Sequence, residues 1–336
     1  MFDYQAVIIL PMTTFQQIQH MLAPDLERLN TRIAEALRSP NVLMNQVIAN
    51  YLEKKGKQIR PIMVLLSARL LGEVNDKVLD GAVAVELLHN ASLIHDDVVD
   101  DTKIRRGAAT INGMWDNHLA VLVGDFFLSN ALLEGVATGD IRMVESIAAL
   151  GRLLSIGELD EIYNARYNAL DEKTYFEIIF RKTASLFVSC VEVGAYGAGS
   201  TATQLEALRE FARLLGLCFQ IKDDIFDYFS DEKIGKPTGN DIREGKITLP
   251  LIHALSKADH PRHAEMLALA RADVHTADQV GSLIAFAIAE GGIDYAYATM
   301  NGLRARAVEI LENEFPASAE RDALVALFDF IINREN

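Results

Sequence analysis

The sequence predicts an all-α protein, and three observations carry that expectation. Long segments place apolar residues at i, i+3, i+4 and i+7, the spacing of one helix face. Strong helix formers dominate, and Pro occurs only 8 times in 336 residues. No run of short alternating strands is present.

Pro24-Asp25 opens a helix running to about Arg38, with Pro at a first-turn position and an acid that favours the dipole. A second helix is expected from Val42 to Lys55, ended by Gly56. A third starts at Pro61 and runs to Leu71. The segment from about Asp76 to Asp101 reads as one long helix. Further helices are expected over 112–134, 140–154, 157–168, 171–199, 203–230, 248–256, 260–271, 275–289, 293–313 and 317–333. The one long connection, Ser230 to Lys246, carries Gly235, Pro237, Gly239 and Gly245 and reads as a lid or as a plain solvated loop. No stretch has linker composition, so one domain over 1–336 is expected.

Half of the residues are hydrophobic, enough to bury a large core. The net charge of −15 argues against nucleic acid as a partner. Cys190 and Cys218 are isolated, which fits a reducing, cytoplasmic setting. The N-terminal apolar run has no basic region before it, so neither a signal nor a transit peptide is expected. No segment reaches about 18 uninterrupted apolar residues, so no membrane span is expected.

Two acidic clusters share one spacing: Asp96-Asp97-Val-Val-Asp100 and Asp223-Asp224-Ile-Phe-Asp227. At about 100° per residue, positions i, i+1 and i+4 lie near 0°, 100° and 40°, so each triplet crowds one helix face. Such crowding destabilises a helix unless a cation neutralises it. A single acidic run is usually a solvated face. Here both runs follow apolar flanks, Ala91-Ser-Leu-Ile-His95 and Leu217-Cys-Phe-Gln-Ile221, where unpaired carboxylates are costly. Carboxylate ligands suit Mg²⁺, which commonly binds one or two of them together with substrate phosphates. Two such faces opposed across a cavity would make a metal-bridged diphosphate site.

Cations stand where diphosphates would need them. Lys57 and Arg60 lie at a helix start, where free N–H groups favour anions. Arg105 and Arg106 follow the first cluster, Arg181-Lys182-Thr183 opens or interrupts a helix, and Lys236 and Lys246 lie in the candidate lid. His89 falls within about 20° of Asp96 on the same helix. Each alone is more often an ordinary surface residue; their joint occurrence with two clusters is the specific signal.

The strings GKQIRP, ELLHNASLIHDDVVDDTKIRRG, VLVGDFFLS, FRKTASLF, FQIKDDIFDYF and GKPTGNDIREGKITLP resemble the trans-isoprenyl diphosphate synthases, or polyprenyl synthetases. The resemblance is strong over about Asn45 to Leu255 and weak beyond. It implies an isoprenoid-synthase-type bundle of about ten or more core helices around a central cavity, three Mg²⁺ ions and a homodimer. It implies an allylic prenyl diphosphate and isopentenyl diphosphate as substrates, with peripheral membrane contact only at product release. By the same resemblance Asp96, Asp97, Asp100, Asp223, Asp224 and Asp227 hold the metal. Arg105, Lys182, Lys236 and Lys246 grip the allylic diphosphate; Lys57, Arg60, His89 and Arg106 form the homoallylic pocket. Thr183 and Gln220 face the developing cation, Phe219 lies beside the isopentenyl group, and Arg334 is a candidate to close over the second diphosphate. One departure is Lys55, which stands where the family commonly has a second glycine.

The chemistry needs these groups because a prenyl C–O bond ionises only when the leaving diphosphate is stabilised, by metal and by Lys/Arg in a dry site. The carbocation formed would react with water, so the cavity must be apolar and closable. The departing diphosphate is the base in this family, leaving His89 to binding and His95 to packing. Product length should follow from the floor beneath the allylic site. The floor positions are Ala91 and Ser92, both small, followed by Leu88, Val85 and Ala84, and by Leu128, Ser129 and Leu132 on the next helix. Phe126 and Phe127 could narrow a wall. A 20-residue helix gives a tunnel about 30 Å deep, room for on the order of six to eight isoprene units. A long-chain product, such as a quinone side-chain precursor, is therefore expected. The alternatives are a farnesyl or geranylgeranyl synthase, a terpene cyclase, which would typically keep only one DDxxD, and a non-catalytic partner subunit, which should have lost aspartates.

Overall fold

A computed structural model describes residues 13–53, 56–105, 107–167, 171–229, 238–272 and 274–334, without the side chains of Tyr51 and Glu53. Lys55, Arg106 and Lys236 lie outside the described residues, as does the 230–237 part of the expected lid.

The expected all-α class holds. In chain order the helices are α1 (Phe15–Met21), α2 (Ala23–Ala36), α3 (Val42–Glu53), α4 (Ile59–Leu71), α5 (Asp76–Val99), α6 (Ile111–Met114), α7 (Asn117–Ala137), α8 (Ile141–Tyr167) and α9 (Glu172–Ile179). They continue as α10 (Ser185–Ala198), α11 (Ala202–Phe226), α12 (Asn240–Arg243), α13 (Leu249–Leu255), α14 (His263–Ala270), α15 (Ala277–Ala289), α16 (Gly292–Glu314) and α17 (Ala319–Ile332). A two-stranded antiparallel hairpin, β1 (Ile104–Arg105) and β2 (Ala108–Ala109), follows α5.

Three expected helices differ in continuity. The helix expected over 112–134 is broken at Trp115, and Asp116 caps the new start by accepting the Leu119 N–H. The two helices expected over 140–154 and 157–168 are one helix, α8. The segment expected as one helix over 171–199 is interrupted by a five-residue π turn, Phe180–Ala184, between α9 and α10.

α5 packs against α4, α7 and α10, while α11 packs against α10 and α16. One apolar cluster joins them, from Ile18 on α1 through Leu65, Val83, Phe187, Phe211 and Leu311 to Ile331 on α17. Cys190 and Cys218 are free thiols buried within it.

α7 alone among the described residues is long and apolar enough to cross a membrane by length and composition, and 33% of its most apolar window is buried. Leu122, Leu133 and Val136 stand exposed on it. Ser129 and Leu132 are exposed too, so these two expected tunnel residues face outward in the protomer, whereas Leu128 is half-buried.

Candidate active site

The first cluster sits at the C-terminal end of α5. The chain leaves that helix through Asp101 in the left-handed region, φ 50°. This turns the hairpin back, so Arg105 Nε donates to Asp97 Oδ1 at 2.7 Å. Asn112 Nδ2 and the Thr102 N–H both bond the Asp97 carbonyl, anchoring the turn. Asp97 is buried and Asp100 exposed, with Asp96 between them in exposure.

The second cluster ends α11. Asp224 is buried and fully engaged: Tyr175 OH donates to Oδ2 at 2.6 Å and Gln220 Nε2 to Oδ1 at 2.9 Å. Thr183 Oγ1 donates to Gln220 Oε1 at 2.7 Å, so Thr183, Gln220, Asp224 and Tyr175 form one chain. Asp227 accepts the N–H groups of Asn240 and Asp241 at 2.9 and 3.0 Å, so both its oxygens cap the start of α12. Asp223 accepts from Arg334 Nη2 at 2.5 Å, and the same nitrogen bonds the Phe219 carbonyl at 2.9 Å. Arg334, expected over the second diphosphate, thus stands on the second cluster.

Between the clusters lies the π turn. Its extra residue per turn bulges Arg181, Lys182 and Thr183 out of the helix, a distortion common at functional sites. Two glycines permit it. A Cβ on Gly157 would lie 2.7 Å from the Lys182 nitrogen, and one on Gly216 would lie 2.5 Å from the Ala184 Cα. Helices α8 and α11 can approach the bulge only because those side chains are absent. Lys182 Nζ consequently reaches Glu161 at 2.7 Å and Glu158 at 2.9 Å on α8. Lys246 Nζ reaches the same Glu161 at 2.9 Å and Glu244 at 2.8 Å.

This network joins the clusters. Asp96 feels the charges of Glu158 and Lys182, while Asp224 feels that of Glu161. Burial, and then Glu158, pushes Asp96 up to about 7. Burial raises Asp224, against its hydrogen bonds from Tyr175 and Gln220. Burial also raises Asp97 against Arg105, and Asp227 against its two backbone N–H donors. Asp241 is raised by burial and by Asp224 and Asp227 beside it. Burial would raise Glu161, but Lys182 and Lys246 outweigh it and leave that carboxyl lowered. Burial would lower both lysines, and their carboxylate partners leave both raised.

A raised carboxyl has a stability consequence. Between its usual pKa near 3.8 and about 7, folded Asp96 holds a proton that the unfolded chain has released. Stability from this group is therefore lost as pH rises through that window. Asp96→Asn removes the effect, so without metal the variant should melt at roughly 2–6 °C above the native chain at pH 8. The two should converge near pH 4 in thermal scans, and an equal or lower melting point at pH 8 would contradict this.

On the other side of the site, Gln58 at the start of α4 is held in the left-handed region, φ 53°, between Lys57 and Arg60. Lys57 is exposed with its ammonium 5.1 Å from the Phe330 ring centroid. The Arg60 guanidinium lies 5.7 Å from the Phe187 centroid and 5.9 Å from that of Phe219. Arg334 covers Phe219 at 4.1 Å. His89 is buried on α5. Ala91 is fully packed and Ser92, half-buried, donates to the His89 carbonyl.

Four polar residues at the site carried no sequence signal strong enough to single them out: Glu158, Glu161, Tyr175 and Asp241. A fifth, Glu86, is half-buried on α5, raised by desolvation and opposed by the Arg60 charge. The Glu158/Glu161 pair has i, i+3 spacing, which could have been noticed.

A polyprenyl synthetase family model matches residues 41–286. The chain belongs to that family. An octaprenyl diphosphate synthase of Haemophilus influenzae is 33% identical over 325 residues, covering 96% of this chain and 97% of that protein. A short chain isoprenyl diphosphate synthase of Methanothermobacter thermautotrophicus is also 33% identical, over 330 residues, with 95% and 99% covered. A polyprenyl synthase from Caulobacter crescentus, solved in complex with calcium and isoprenyl diphosphate, superposes with a TM-score of 0.88 at 33% identity, covering 97% of this chain and 100% of that one. The chain is a prenyltransferase with the all-α fold of its polyprenyl synthetase relatives.

The donor set fits a hard divalent ion. Every expected ligand is a carboxylate, and burial first, then Glu158, disfavours the Asp96 anion until a cation joins it. Among the described residues no three acidic, His or Cys side chains are gathered tightly enough to hold an ion by themselves.

Proposed function

We propose that this polyprenyl synthetase condenses isopentenyl diphosphate head-to-tail with an allylic prenyl diphosphate in a Mg²⁺-dependent reaction. The product is a long-chain all-trans polyprenyl diphosphate, a precursor of quinone side chains. The observation that carries this is the pair of aspartate clusters, both electrostatically coupled to the Lys182–Glu161 ion pair.

Three Mg²⁺ ions held by Asp96, Asp97, Asp100, Asp223, Asp224 and Asp227 would neutralise the charge that grows on the leaving diphosphate. Arg105, Lys182 and Lys246, with Lys236, grip that diphosphate. Lys57, Arg60 and His89, with Arg106, hold the second diphosphate, and Phe219 packs beside the isopentenyl group. The oxygens of Thr183 and Gln220, fixed by their mutual hydrogen bond and by Asp224, lie where allylic positive charge would develop. Asp227 seats the start of α12 and so ties the second cluster to the segment carrying Lys246.

A long product is favoured by the absence of an aromatic ring at Ala91 and Ser92, and by the near full-length similarity to an octaprenyl diphosphate synthase. We further propose a single domain over 1–336, supported by the one apolar cluster running from α1 to α17. A cytoplasmic homodimer that touches membrane only to release product completes the reading. Exposed Leu122, Leu133 and Val136 on α7, with Ile141 and Leu159 on α8, offer an apolar face for a second copy.

The test is to incubate the protein with Mg²⁺, farnesyl diphosphate and labelled isopentenyl diphosphate and to size the products chromatographically. A ladder extending well past geranylgeranyl is expected. A ladder stopping there would overturn the long-chain assignment, and no elongation at all would overturn the reaction. Sedimentation of the same sample should give a dimer; a 37.1 kDa species would exclude it.

A further inference from the structure

Helix α11 carries one buried lysine on the side away from the aspartate cluster. Taking Asp223 as 0°, the residues facing the reaction, Asp223, Asp227, Gln220 and Asp224, span about 0–100° around the helix. Ile225, Lys222 and Phe226 span about 200–300°, the opposite side, and Phe229 follows just beyond the helix end. That opposite side lines a half-open cavity of about 390 Å³, bounded by Tyr297, Met300 and Asn301 of α16, by Ile332 at the end of α17 and by Asn333 and Arg334 after it. Its volume is typical of a small-molecule site, roughly 300–1,000 Å³.

Lys222 is buried in this wall, at 7% exposure. Its ammonium lies 3.2 Å from the Tyr297 hydroxyl and 5.0 Å from the centroids of both Phe226 and Tyr297. Among the described residues no carboxylate lines the cavity and no acidic group ion-pairs with Lys222. Arg334, also in the lining, directs one nitrogen to Asp223 on the far side. The remaining lining is largely apolar, from Ile225, Phe226, Phe229, Met300 and Ile332. A buried cation facing ring surfaces and one hydroxyl, without a counter-charge, is left to be completed by an anion.

We propose that this cavity is a second ligand site, distinct from the reaction site, for a small amphipathic anion with a phosphate head on an apolar prenyl body. The head meets Lys222 and the Tyr297 hydroxyl; the body lies along Phe226, Phe229 and Met300. The choice of a prenyl body rests on the proposed function, but binding here needs neither turnover nor metal.

The test is calorimetric titration of geranyl monophosphate into the intact chain in EDTA, alongside inorganic phosphate and geraniol as head-only and tail-only probes. Geranyl monophosphate should bind at least about tenfold more tightly than either, and Lys222→Met should weaken that event at least about tenfold, as loss of a buried hydrogen bond to charge implies. Asn301→Trp, at the exposed rim, should weaken it comparably without touching the buried cation. Asp96→Ala should leave it unchanged. An event that survives both cavity variants, or that Asp96→Ala abolishes, would place the ligand in the reaction site and overturn the proposal. So would head-only binding as tight as that of the whole probe.

Discussion

Asp96→Ala lowers turnover by about a thousandfold or more. Removing one carboxylate from a metal-diphosphate clamp forfeits several kcal/mol of charge stabilisation in the transition state, at about 1.4 kcal/mol per tenfold. Asp96 should be more sensitive than exposed Asp100, because it is partly desolvated and faces Lys182 across Glu158. The loss should appear in kcat with the fold intact, since the same change relieves buried negative charge. Steady-state kinetics with both substrates measure it, and near-native turnover would refute the metal role of the first cluster.

The second large effect is on product length. Ser92 lies about 40° from Asp96 around α5, four residues earlier, so its side chain is directed toward the path a growing chain would take below the first cluster. Ser92→Phe should shorten the dominant product by several isoprene units. Ala91→Phe should shorten it as well, but Ala91 is fully packed and the added ring would strain the core by about 1–3 kcal/mol. Ser92, half-buried, is the cleaner test. Chromatographic sizing reads the result, and an unchanged length in Ser92→Phe would mean that this position does not floor the tunnel.

The sequence disclosed the candidate ligands more readily than what organises them. Two DDxxD runs with apolar flanks are visible as strings, because helical spacing alone puts their carboxylates on one face. Lys182 was legible as a cation but not as the bridge, since its position depends on a π turn that no local spacing encodes. The break expected between 154 and 157 is absent for the same reason: Gly157 sits inside α8, where its missing Cβ admits the Lys182 backbone. Glu158 and Glu161 resemble an ordinary solvated helix face until α8 is laid against that turn. Tyr175 and Asp241 reach the site through tertiary packing of α9 and α12, which sequence periodicity does not report. The exposure of Ser129 and Leu132 likewise follows from how α7 rotates against α5, a register set by packing rather than by pattern.

The direct test of a shared metal-diphosphate site is calorimetry of farnesyl diphosphate uptake with and without Mg²⁺, in the native chain and in Asp96→Ala and Asp224→Ala. One variant from each cluster is needed because the two are held to act on one diphosphate. Tight uptake that requires Mg²⁺ and is lost in both variants is the expected result. Uptake indifferent to Mg²⁺, or insensitive to either substitution, would contradict it.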